Sequence, residues 1–407
     1  MQTFKIQRLG HQGDGVAQGP VFAPLTLPGE EVSGDLDGTR LENVRIVRPS
    51  VDRVAAPCSH FKSCGGCQLQ HARDEYVEAW KVDVVRIALA AQGLETEFLP
   101  IQTSPTRSRR RASFSAHRTK KGAMVGFHAR NSATIIPISD CHLLDPALLE
   151  SKGIIEELTV IGGSRKGELN ALVTLSEAGI DIAISNAKPL DDTLRIELAQ
   201  VAAKHGLARL SWDKETVAQN APPFQKFGRT KVTPPPGAFL QATPQGQDAL
   251  IACVEKIIGS ANHVIDLFSG CGTFALPLTQ TAEVHAVEGD AEMVAAMVNG
   301  WRQAGGLKLL TSEARDLFRR PLLAEDLRKF EAAVIDPPRA GAEAQIEEIA
   351  KSTIQRIAFV SCNPVTFAKD AKTLVDAGYG LEWIQVIDQF RWSTHIELVA
   401  NFSRKKR

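Results

Sequence analysis

The stretch DLFSGCGTFALPL, residues 266–278, decides the fold of the C-terminal part of this sequence. Its first residues end an apolar run that is typical of a buried strand, and Gly270 and Gly272 follow directly. Glycine at these positions allows a tight turn and a close approach of the backbone to a ligand. The stretch therefore predicts a ligand site where this strand ends.

The sequence around this stretch repeats a β-α-β pattern from about residue 236 to the C-terminus. Helical stretches alternate with the apolar runs HVIDLF, EVHAVEG, FEAAVIDPP and RIAFVSCNP. This alternation predicts a Rossmann-like open parallel sheet, in which ligands bind beyond the carboxyl ends of the strands. A proline cluster, TPPPGAF, marks the expected start of this domain, which we place at 236–407.

Chemically versatile residues follow these predicted strands. Glu288 ends the second strand, where a carboxylate can accept hydrogen bonds from two ribose hydroxyls. This indicates a nucleoside-containing cofactor, although the G-x-G-x-x-A pattern from Gly270 also fits a nicotinamide fingerprint. Asp336 begins the rigid turn DPPRAG, and Cys362 stands at the strand end FVSCNP. Glu397, in THIELVANF, either faces solvent or serves the site.

Upstream, the sequence predicts two further domains. Residues 1–53 read as short strands with glycine-rich turns, which favours a small OB-like β-barrel. Residues 54–235 contain a helix-like stretch, DEYVEAWKVDVVRIALAAQG, followed by several strand-like runs. That mixture predicts an α+β domain with an antiparallel sheet.

Four cysteines pose a separate question. Cys58, Cys64 and Cys67 lie in CSHFKSCGGCQLQH, and Cys141 lies far downstream in ISDCHLL. The N-terminus lacks the apolar segment of a signal peptide, so we expect a reducing cytoplasm that disfavours disulfides. Four thiolates suit a zinc ion or an iron–sulfur cluster, and their spacing alone does not separate the two. Cys253 and Cys271 are interpreted as buried structural residues.

Charge is balanced over the whole chain but not locally. The chain has 407 residues, 43% of them apolar, with 47 Lys and Arg against 47 Asp and Glu, and no apolar run long enough for a membrane span. Residues 104–121, SPTRSRRRASFSAHRTKK, contain no acid, and Phe114 and His117 lie among the cations. This pattern predicts contacts with nucleic-acid phosphates, with a solvated loop as the alternative. The predicted contacts are Arg107, Arg109, Arg110, Arg111, Arg118, Lys120 and Lys121. The terminal SRKKR is interpreted as a disordered tail.

The motifs GAFLQ, DLFSGCGTFALPL, DPPRAG, SCNPVTFAKD and HIE, in this order, closely resemble those of the RNA uracil-C5 methyltransferases. CSHFKSCGGCQLQH and Cys141 resemble the iron–sulfur branch of that family, whose best-known members modify 23S ribosomal RNA. The first fifty residues, especially QGDGVAQ and LPGEEV, resemble its TRAM domain, an RNA-binding barrel. The resemblance covers essentially the whole chain.

The resemblance implies a role for each matching residue. Cys362 matches the catalytic nucleophile, and Glu397 matches the base that removes a proton. The implied S-adenosylmethionine contacts are Gln241, Phe268, Glu288, Asp316 and Asp336, together with the glycine turn of Gly270 and Gly272. The implied ligands of a [4Fe–4S] cluster are Cys58, Cys64, Cys67 and Cys141.

The chemistry of uracil explains why such a pair is needed. C5 of uracil is too weak a nucleophile to take a methyl group directly, so a thiolate first adds at C6 and creates an enolate. A base then removes the C5 proton, and the thiolate leaves. Cys362 and Glu397 fit these two roles, and we expect the cleft to lower the pKa of the Cys362 thiol.

Other functions remain open at this stage. DPPR is shared with the transfer-RNA branch, and Thr273 stands where ribosomal-RNA members often have Asn, so transfer RNA is an alternative target. A non-catalytic iron–sulfur RNA-binding protein would not need Cys362 and Glu397. A nicotinamide oxidoreductase with an iron–sulfur centre would leave SCNP and HIE unexplained. We expect a monomeric cytoplasmic enzyme that binds RNA and no membrane.

Overall fold

The structure is a computed structural model that describes residues 2–404. The last three residues of the SRKKR tail, 405–407, lie outside the described residues. Four sheets organise the chain: a closed barrel, a seven-stranded sheet, a two-stranded hairpin and an eight-stranded sheet.

The N-terminal barrel confirms the predicted small β-barrel. Its strands follow the order β1-β2-β3-β5-β4 around the closed sheet. Alternating apolar residues such as Ile6, Val32 and Leu41 fill its interior, as expected for strands with one buried face. The strands are β1 (Gln2–Leu9), β2 (Gly15–Ala17), β3 (Val21–Ala23), β4 (Glu31–Asp37) and β5 (Arg40–Arg48).

The middle of the chain contains a largely antiparallel sheet with helices packed against it. The strand order is β13-β12-β11-β10-β7-β8-β9, and only β11 and β12 pair in parallel. Phe114, Leu158 and Trp212 are among the residues of its core. The elements are α1 (Asp74–Ala90), β6 (Glu97–Thr103), β7 (Arg111–Arg118), β8 (Ala123–His128), β9 (Ile135–Pro137), α2 (Pro146–Glu150), α3 (Lys152–Gly162), β10 (Glu168–Ser176), β11 (Gly179–Ser185), α4 (Asp192–Lys204), β12 (Arg209–Trp212) and β13 (Glu215–Gln219).

The C-terminal part forms an open, mostly parallel sheet of the predicted Rossmann-like kind. Strands β16 to β20 pair in parallel, β22 runs antiparallel between β20 and β21, and the order is β18-β17-β16-β19-β20-β22-β21-β6. The elements are β14 (Gln225–Phe227), β15 (Thr230–Val232), α5 (Pro244–Ile258), β16 (His263–Leu267), α6 (Ala275–Leu278), β17 (Glu283–Glu288), α7 (Ala291–Gln303), β18 (Leu310–Ala314), a 3-10 helix (Asp326–Lys329), β19 (Ala332–Ile335), α8 (Glu343–Lys351), β20 (Arg356–Ser361), α9 (Pro364–Asp376), β21 (Tyr379–Asp388) and β22 (Leu398–Arg404).

The predicted middle domain, residues 54–235, contains segments that pack with the C-terminal sheet. Strand β6 pairs with β21 at the edge of that sheet, and α1 packs Val85 and Leu89 into the core on one of its faces. The hairpin β14–β15 packs Phe227 and Val232 into the core on the other face. The division of the chain into domains at 54 and 235 stays a prediction.

Candidate active site

A cavity of about 780 Å³ opens at the carboxyl ends of β16, β17, β19 and β20. This is the position that the parallel-sheet rule predicts for a ligand. Nearly all of the residues predicted to bind the cofactor or to act in catalysis line this one cavity. They are Gln241, Phe268, Gly270, Glu288, Asp316, Asp336, Cys362 and Glu397.

The glycine turn after β16 is fixed to the end of β17. The Gly270 N–H donates to Oε2 of Glu288 at 2.9 Å, and the Asp290 N–H donates to Oε1 at 3.0 Å. Gly270 has φ of 55°, in the left-handed region, and a Cβ there would meet open space. The conformation of the turn, more than crowding, therefore requires glycine at this position.

Gly272 has a different role from the predicted one, because it does not line the cavity. Its φ is 91°, and a Cβ at this position would lie 2.7 Å from Cγ of Met297 and 2.8 Å from Cγ of Leu276. Gly272 therefore allows the turn to pack closely against α6 and α7. The sequence pattern predicted a contact with the cofactor and could not distinguish it from close packing.

Two buried carboxyl groups line the cavity near each other. Asp336 follows β19, and its burial together with the charge of Glu288 raises its pKa to about 7. Glu397 precedes β22 and is 4% exposed. Burial, and then the neighbouring Asp336, raise the pKa of Glu397 well above its usual range. The prediction left open whether Glu397 faces solvent, and the structure places it inside the cavity.

Cys362 stands between β20 and α9 in a turn that its neighbours fix. Asn363 caps α9 by accepting the Val365 N–H at 3.1 Å, and its side-chain amide donates to the Arg339 carbonyl at 2.9 Å. The SCNP turn is thereby tied to the DPPR turn. Burial, followed by the charges of Glu397 and Asp336, raises the pKa of the Cys362 thiol to about 11. The expectation of a lowered pKa is therefore wrong for this cavity without a ligand.

Several aromatic and basic side chains of the cavity were not predicted. Phe318 lies 5.4 Å from Phe268 between ring centroids, and Phe390 lies 5.5 Å from His395. Phe239 also lines the cavity and is 60% exposed. Its place in GAFLQ, two residues before Gln241, is the one sequence signal that could have identified it.

Comparisons with known proteins agree with this geometry. The family described as tRNA (uracil-5-)-methyltransferase matches residues 181–405. An RNA methyltransferase of Caulobacter vibrioides is 43% identical over 99% of this chain and 100% of its own length. The 23S rRNA (uracil(1939)-C(5))-methyltransferase RlmD of Vibrio vulnificus is 31% identical over 99% of this chain and 96% of its own length.

The chain belongs to the RNA uracil-5 methyltransferase family. The predicted family and enzyme class are therefore confirmed. The crystal structure of Pyrococcus abyssi tRNA (uracil-54, C5)-methyltransferase with S-adenosyl-L-homocysteine has the same overall fold. It matches with a TM-score of 0.77 and 21% identity, over 98% of this chain and 99% of that one.

In this methyltransferase, Arg110 braces the active site and does not face solvent. Its guanidinium donates to the Gln241 carbonyl at 3.1 Å and to the side chains of Gln225 and Gln247 at 3.3 and 2.8 Å. Burial lowers its pKa to about 10. The prediction that Arg110 contacts RNA is therefore corrected, because its donors are occupied by the segment that carries Gln241.

The other side chains predicted to contact RNA differ in their exposure to solvent. Arg109 and Arg111 are half-buried, with hydrogen bonds to the carbonyls of Arg111 and Gly237 respectively, and Phe114 is buried in the core. Phe114 therefore offers no stacking surface. The exposed cations are Arg107, Lys120 and Lys121, and Arg118 is half-exposed beside them in sequence.

The four predicted cluster cysteines line a second cavity, of about 320 Å³. Cys58, Cys64 and Cys67 come from the loop before α1, and Cys141 precedes α2. All seven cysteines are free of disulfides. Within residues 2–404, no three His, Cys, Asp or Glu side chains are close enough together to hold a single metal ion.

The thiols of this cysteine cavity affect each other's protonation. Burial raises the pKa of Cys67 to about 12, with smaller contributions from Cys141, Cys64 and Cys58 in the same direction. Burial likewise raises the pKa of Cys58 and Cys64. A cationic group between the sulfurs would reverse this effect, because opposite charge favours the thiolate form.

None of the helices in residues 2–404 combines the length and the apolar character that crossing a membrane requires.

Proposed function

We propose that this enzyme transfers the methyl group of S-adenosylmethionine to C5 of a uridine in ribosomal RNA. The observation that carries the proposal is the placement of Cys362, Glu397 and Asp336 around one cavity that also contains the glycine turn. Uracil methylation requires a nucleophile that adds to C6 and a base that removes the C5 proton, and this cavity contains a candidate for each.

The glycine turn would hold the methyl donor in its half of the cavity. Glu288, fixed by two backbone N–H groups, would accept hydrogen bonds from the ribose hydroxyls, and Phe268 and Phe318, which pack against each other, would offer apolar surface to the adenine. The archaeal relative of the same fold binds S-adenosyl-L-homocysteine, the product of methyl transfer, which supports this assignment.

The reaction then proceeds through a covalent adduct. The Cys362 thiolate forms a bond to C6 of the uracil, and the resulting enolate carbon C5 takes the methyl group from the sulfonium. The Glu397 carboxylate removes the C5 proton, and the bond between C6 and sulfur breaks to restore the thiolate. The positive sulfonium and Arg339, which lowers the pKa of Cys362, oppose the carboxylates and favour the thiolate once the donor is bound.

Ribosomal RNA is the favoured substrate over transfer RNA. The Vibrio vulnificus relative, named for 23S rRNA, matches nearly all of both chains at 31% identity. The archaeal relative named for tRNA shares 21% identity, which supports only the fold. The test is to supply purified enzyme and labelled methyl donor with 23S rRNA and with bulk tRNA from a strain that lacks the gene. Label in 5-methyluridine of 23S rRNA supports the proposal, and label confined to tRNA overturns it.

We also propose that the cysteine cavity holds a [4Fe–4S] cluster. A single zinc ion needs its four sulfurs at about 2.3 Å from one point. The four thiols line one cavity, and lining alone does not separate zinc from a cluster. The resemblance of the cysteine motif to the iron–sulfur branch of the family supports the cluster, whose metal charge would offset the mutual effect of the thiols. Bound there, it would cross-link the loop before α1 to Cys141.

RNA is proposed to bind across the barrel and the exposed cations Arg107, Arg118, Lys120 and Lys121. The barrel is the element that resembles a TRAM domain, and it exposes a basic strand, β5, with the sequence RLENVRIVR. The enzyme is proposed to act as a monomer. Free cysteines and an RNA substrate support a cytoplasmic location.

A further inference from the structure

The loop between β21 and β22 connects the two cavities. We call it the β21–β22 loop and define it as Gln389–Glu397. Its residues Phe390, His395, Ile396 and Glu397 line the catalytic cavity. Ser393 lines the cysteine cavity, and His395 lines both cavities. The loop therefore forms a wall that the two cavities share.

Trp392, in the middle of this loop, is held in an unfavourable conformation. Its φ is 60°, and a residue with a Cβ adopts such a value only when its surroundings impose it. Its carbonyl accepts the N–H groups of Gln68 and Leu69, both at 2.9 Å. These residues directly follow Cys67, and the indole ring packs in a buried cluster with Phe61 and Cys67.

Asp74, in the first turn of α1, also fixes Trp392, through hydrogen bonds to its carboxylate. Its Oδ1 accepts the indole Nε1–H at 2.9 Å, and its Oδ2 accepts a hydrogen bond from Arg391. Asp74 lies outside both cavities and is half-exposed. It therefore acts on the loop without touching the substrate or the cofactor.

The two ends of the loop are fixed by other contacts. Lys81 of α1 forms a buried ion pair with Asp388 at 2.7 Å and donates to the Phe390 carbonyl at 3.0 Å. The Ile387 N–H donates to the Glu397 carbonyl at 2.9 Å. Between these anchors, the contacts of Trp392 decide whether His395 and Ile396 stay against the cavity beside the Glu397 carboxyl group.

We infer that Asp74 and Trp392 are positioning residues that hold the β21–β22 loop closed for proton abstraction by Glu397. The inference rests on the proposed function, because proton abstraction by Glu397 is a step of that proposed reaction. Methyl transfer depends on Cys362, whose turn is fixed by contacts that do not involve the loop, from Asn363 to Val365 and to Arg339. Loosening the loop should therefore slow the release of the methylated adduct more than its formation.

The test compares Asp74→Ala with Asp74→Asn and with Glu75→Ala. The asparagine keeps an oxygen that can accept the indole N–H, and Glu75 is an exposed acid on the same helical turn without contact to the loop. With natural RNA and labelled methyl donor, the methylated protein–RNA adduct is quantified on denaturing gels and the released 5-methyluridine by nuclease digestion.

We expect the ratio of adduct to released product to rise about five- to tenfold in Asp74→Ala. It should stay within about twofold of the parent enzyme in Asp74→Asn and Glu75→Ala. If Asp74→Ala loses solubility, Trp392→Phe replaces it, since phenylalanine keeps an aromatic ring in the cluster but loses the N–H donor and part of the buried ring volume. An unchanged ratio in a folded variant, or an equal fall in adduct and product, would overturn the inference.

A separate measurement distinguishes failure of this inference from failure of the proposed function. The parent enzyme should form a stable adduct with RNA that contains 5-fluorouridine, because fluorine cannot leave as a cation to a base. Absence of that adduct would reject the covalent mechanism itself, whatever the variants show. Its presence, with an unchanged ratio in Asp74→Ala, would reject only the role of Asp74 and Trp392.

Discussion

The catalytic cavity and the cysteine cavity share a wall but are built in different ways. Much of the catalytic cavity comes from the ends of four parallel strands, β16, β17, β19 and β20, where the sheet fixes the backbone. Three of the four thiols of the cysteine cavity lie in a loop without regular secondary structure, beside residues of β7 and β8. Only a few backbone hydrogen bonds fix that loop, such as the Gly65 N–H to the His128 carbonyl at 2.9 Å.

Because of this difference, we expect a substitution in the catalytic cavity to affect mainly the reaction, and a substitution of a cysteine in the cysteine cavity to affect mainly the fold. A side chain at the end of a strand can change without loss of the strand, since the sheet is stabilised by its own core. Cysteines in a loop have no such frame, and the loop depends on what they bind. The predictions that follow test this contrast, in order of decreasing effect.

The largest effect is expected from exchanging one cysteine in each cavity. Cys64→Ser should remove bound iron, from about four atoms per chain in the parent to almost none, and should lower the melting temperature. Cys362→Ala should keep the iron and the melting temperature and lose all methylation. Iron analysis and thermal unfolding of anaerobically purified proteins check both. Zinc in place of iron, or a Cys64→Ser protein as stable as the parent, would contradict the contrast.

A second effect concerns the reactivity of Cys362 in the enzyme without ligands. Only the thiolate reacts with iodoacetamide, and burial together with Glu397 and Asp336 raises the pKa of this thiol to about 11. The thiolate fraction, and hence the alkylation rate, should rise by up to about tenfold per pH unit from pH 7 to 9, without a plateau.

Peptide mass spectrometry of the alkylated Cys362 measures this rate. Glu397→Gln serves as the comparison, because loss of that charge lowers the pKa of the thiol and should speed alkylation at each pH. A rate that is already constant above pH 7 would mean that the cavity activates the thiol before any ligand binds.

A third effect tests whether Arg110 braces the catalytic cavity. Arg110→Gln removes three hydrogen bonds from a buried guanidinium, which should lower the free energy of unfolding by about 3 kcal/mol. Chemical denaturation measures the loss. Arg107→Gln, an exposed change in the same segment, is the control and should leave the free energy of unfolding unchanged. Equal losses in the two variants would contradict the bracing role of Arg110.

The smallest effect is expected on RNA affinity. Arg107→Gln should weaken RNA binding a few-fold and reduce the slope of log affinity against log salt by about one, as expected for the loss of one phosphate contact. Arg328→Gln, an exposed change on the 3-10 helix, is the control and should leave both quantities unchanged. Fluorescence anisotropy at several salt concentrations checks this, and an unchanged slope for Arg107→Gln would remove it from the RNA surface.

Much of the fold and of the catalytic cavity could be predicted because local patterns determine them. Apolar runs that alternate with helices specify a parallel sheet, and a parallel sheet brings its strand ends to one edge. Glu288, Asp336 and Cys362 could therefore be assigned to one site before their geometry was known. The barrel was predictable for a similar reason, from short strands separated by glycine turns.

The remaining errors all involve contacts between distant parts of the chain. The sequence of β6 does not show that it pairs with β21, which lies almost 300 residues downstream. Arg110 looks like the other cations of its basic run, and only its approach to Gln241 shows that it is buried. The raised pKa of Cys362 likewise depends on Glu397 and Asp336, which come from other strand ends.

The central claim is that Cys362 attacks before methyl transfer and Glu397 acts after it. The most direct test incubates Glu397→Gln with substrate RNA and methyl-labelled donor, followed by denaturing electrophoresis. The account predicts an RNA-linked protein that carries the label, whereas Cys362→Ala forms no such species and no 5-methyluridine. Normal turnover by Glu397→Gln without a labelled adduct, or 5-methyluridine made by a folded Cys362→Ala enzyme, would contradict it.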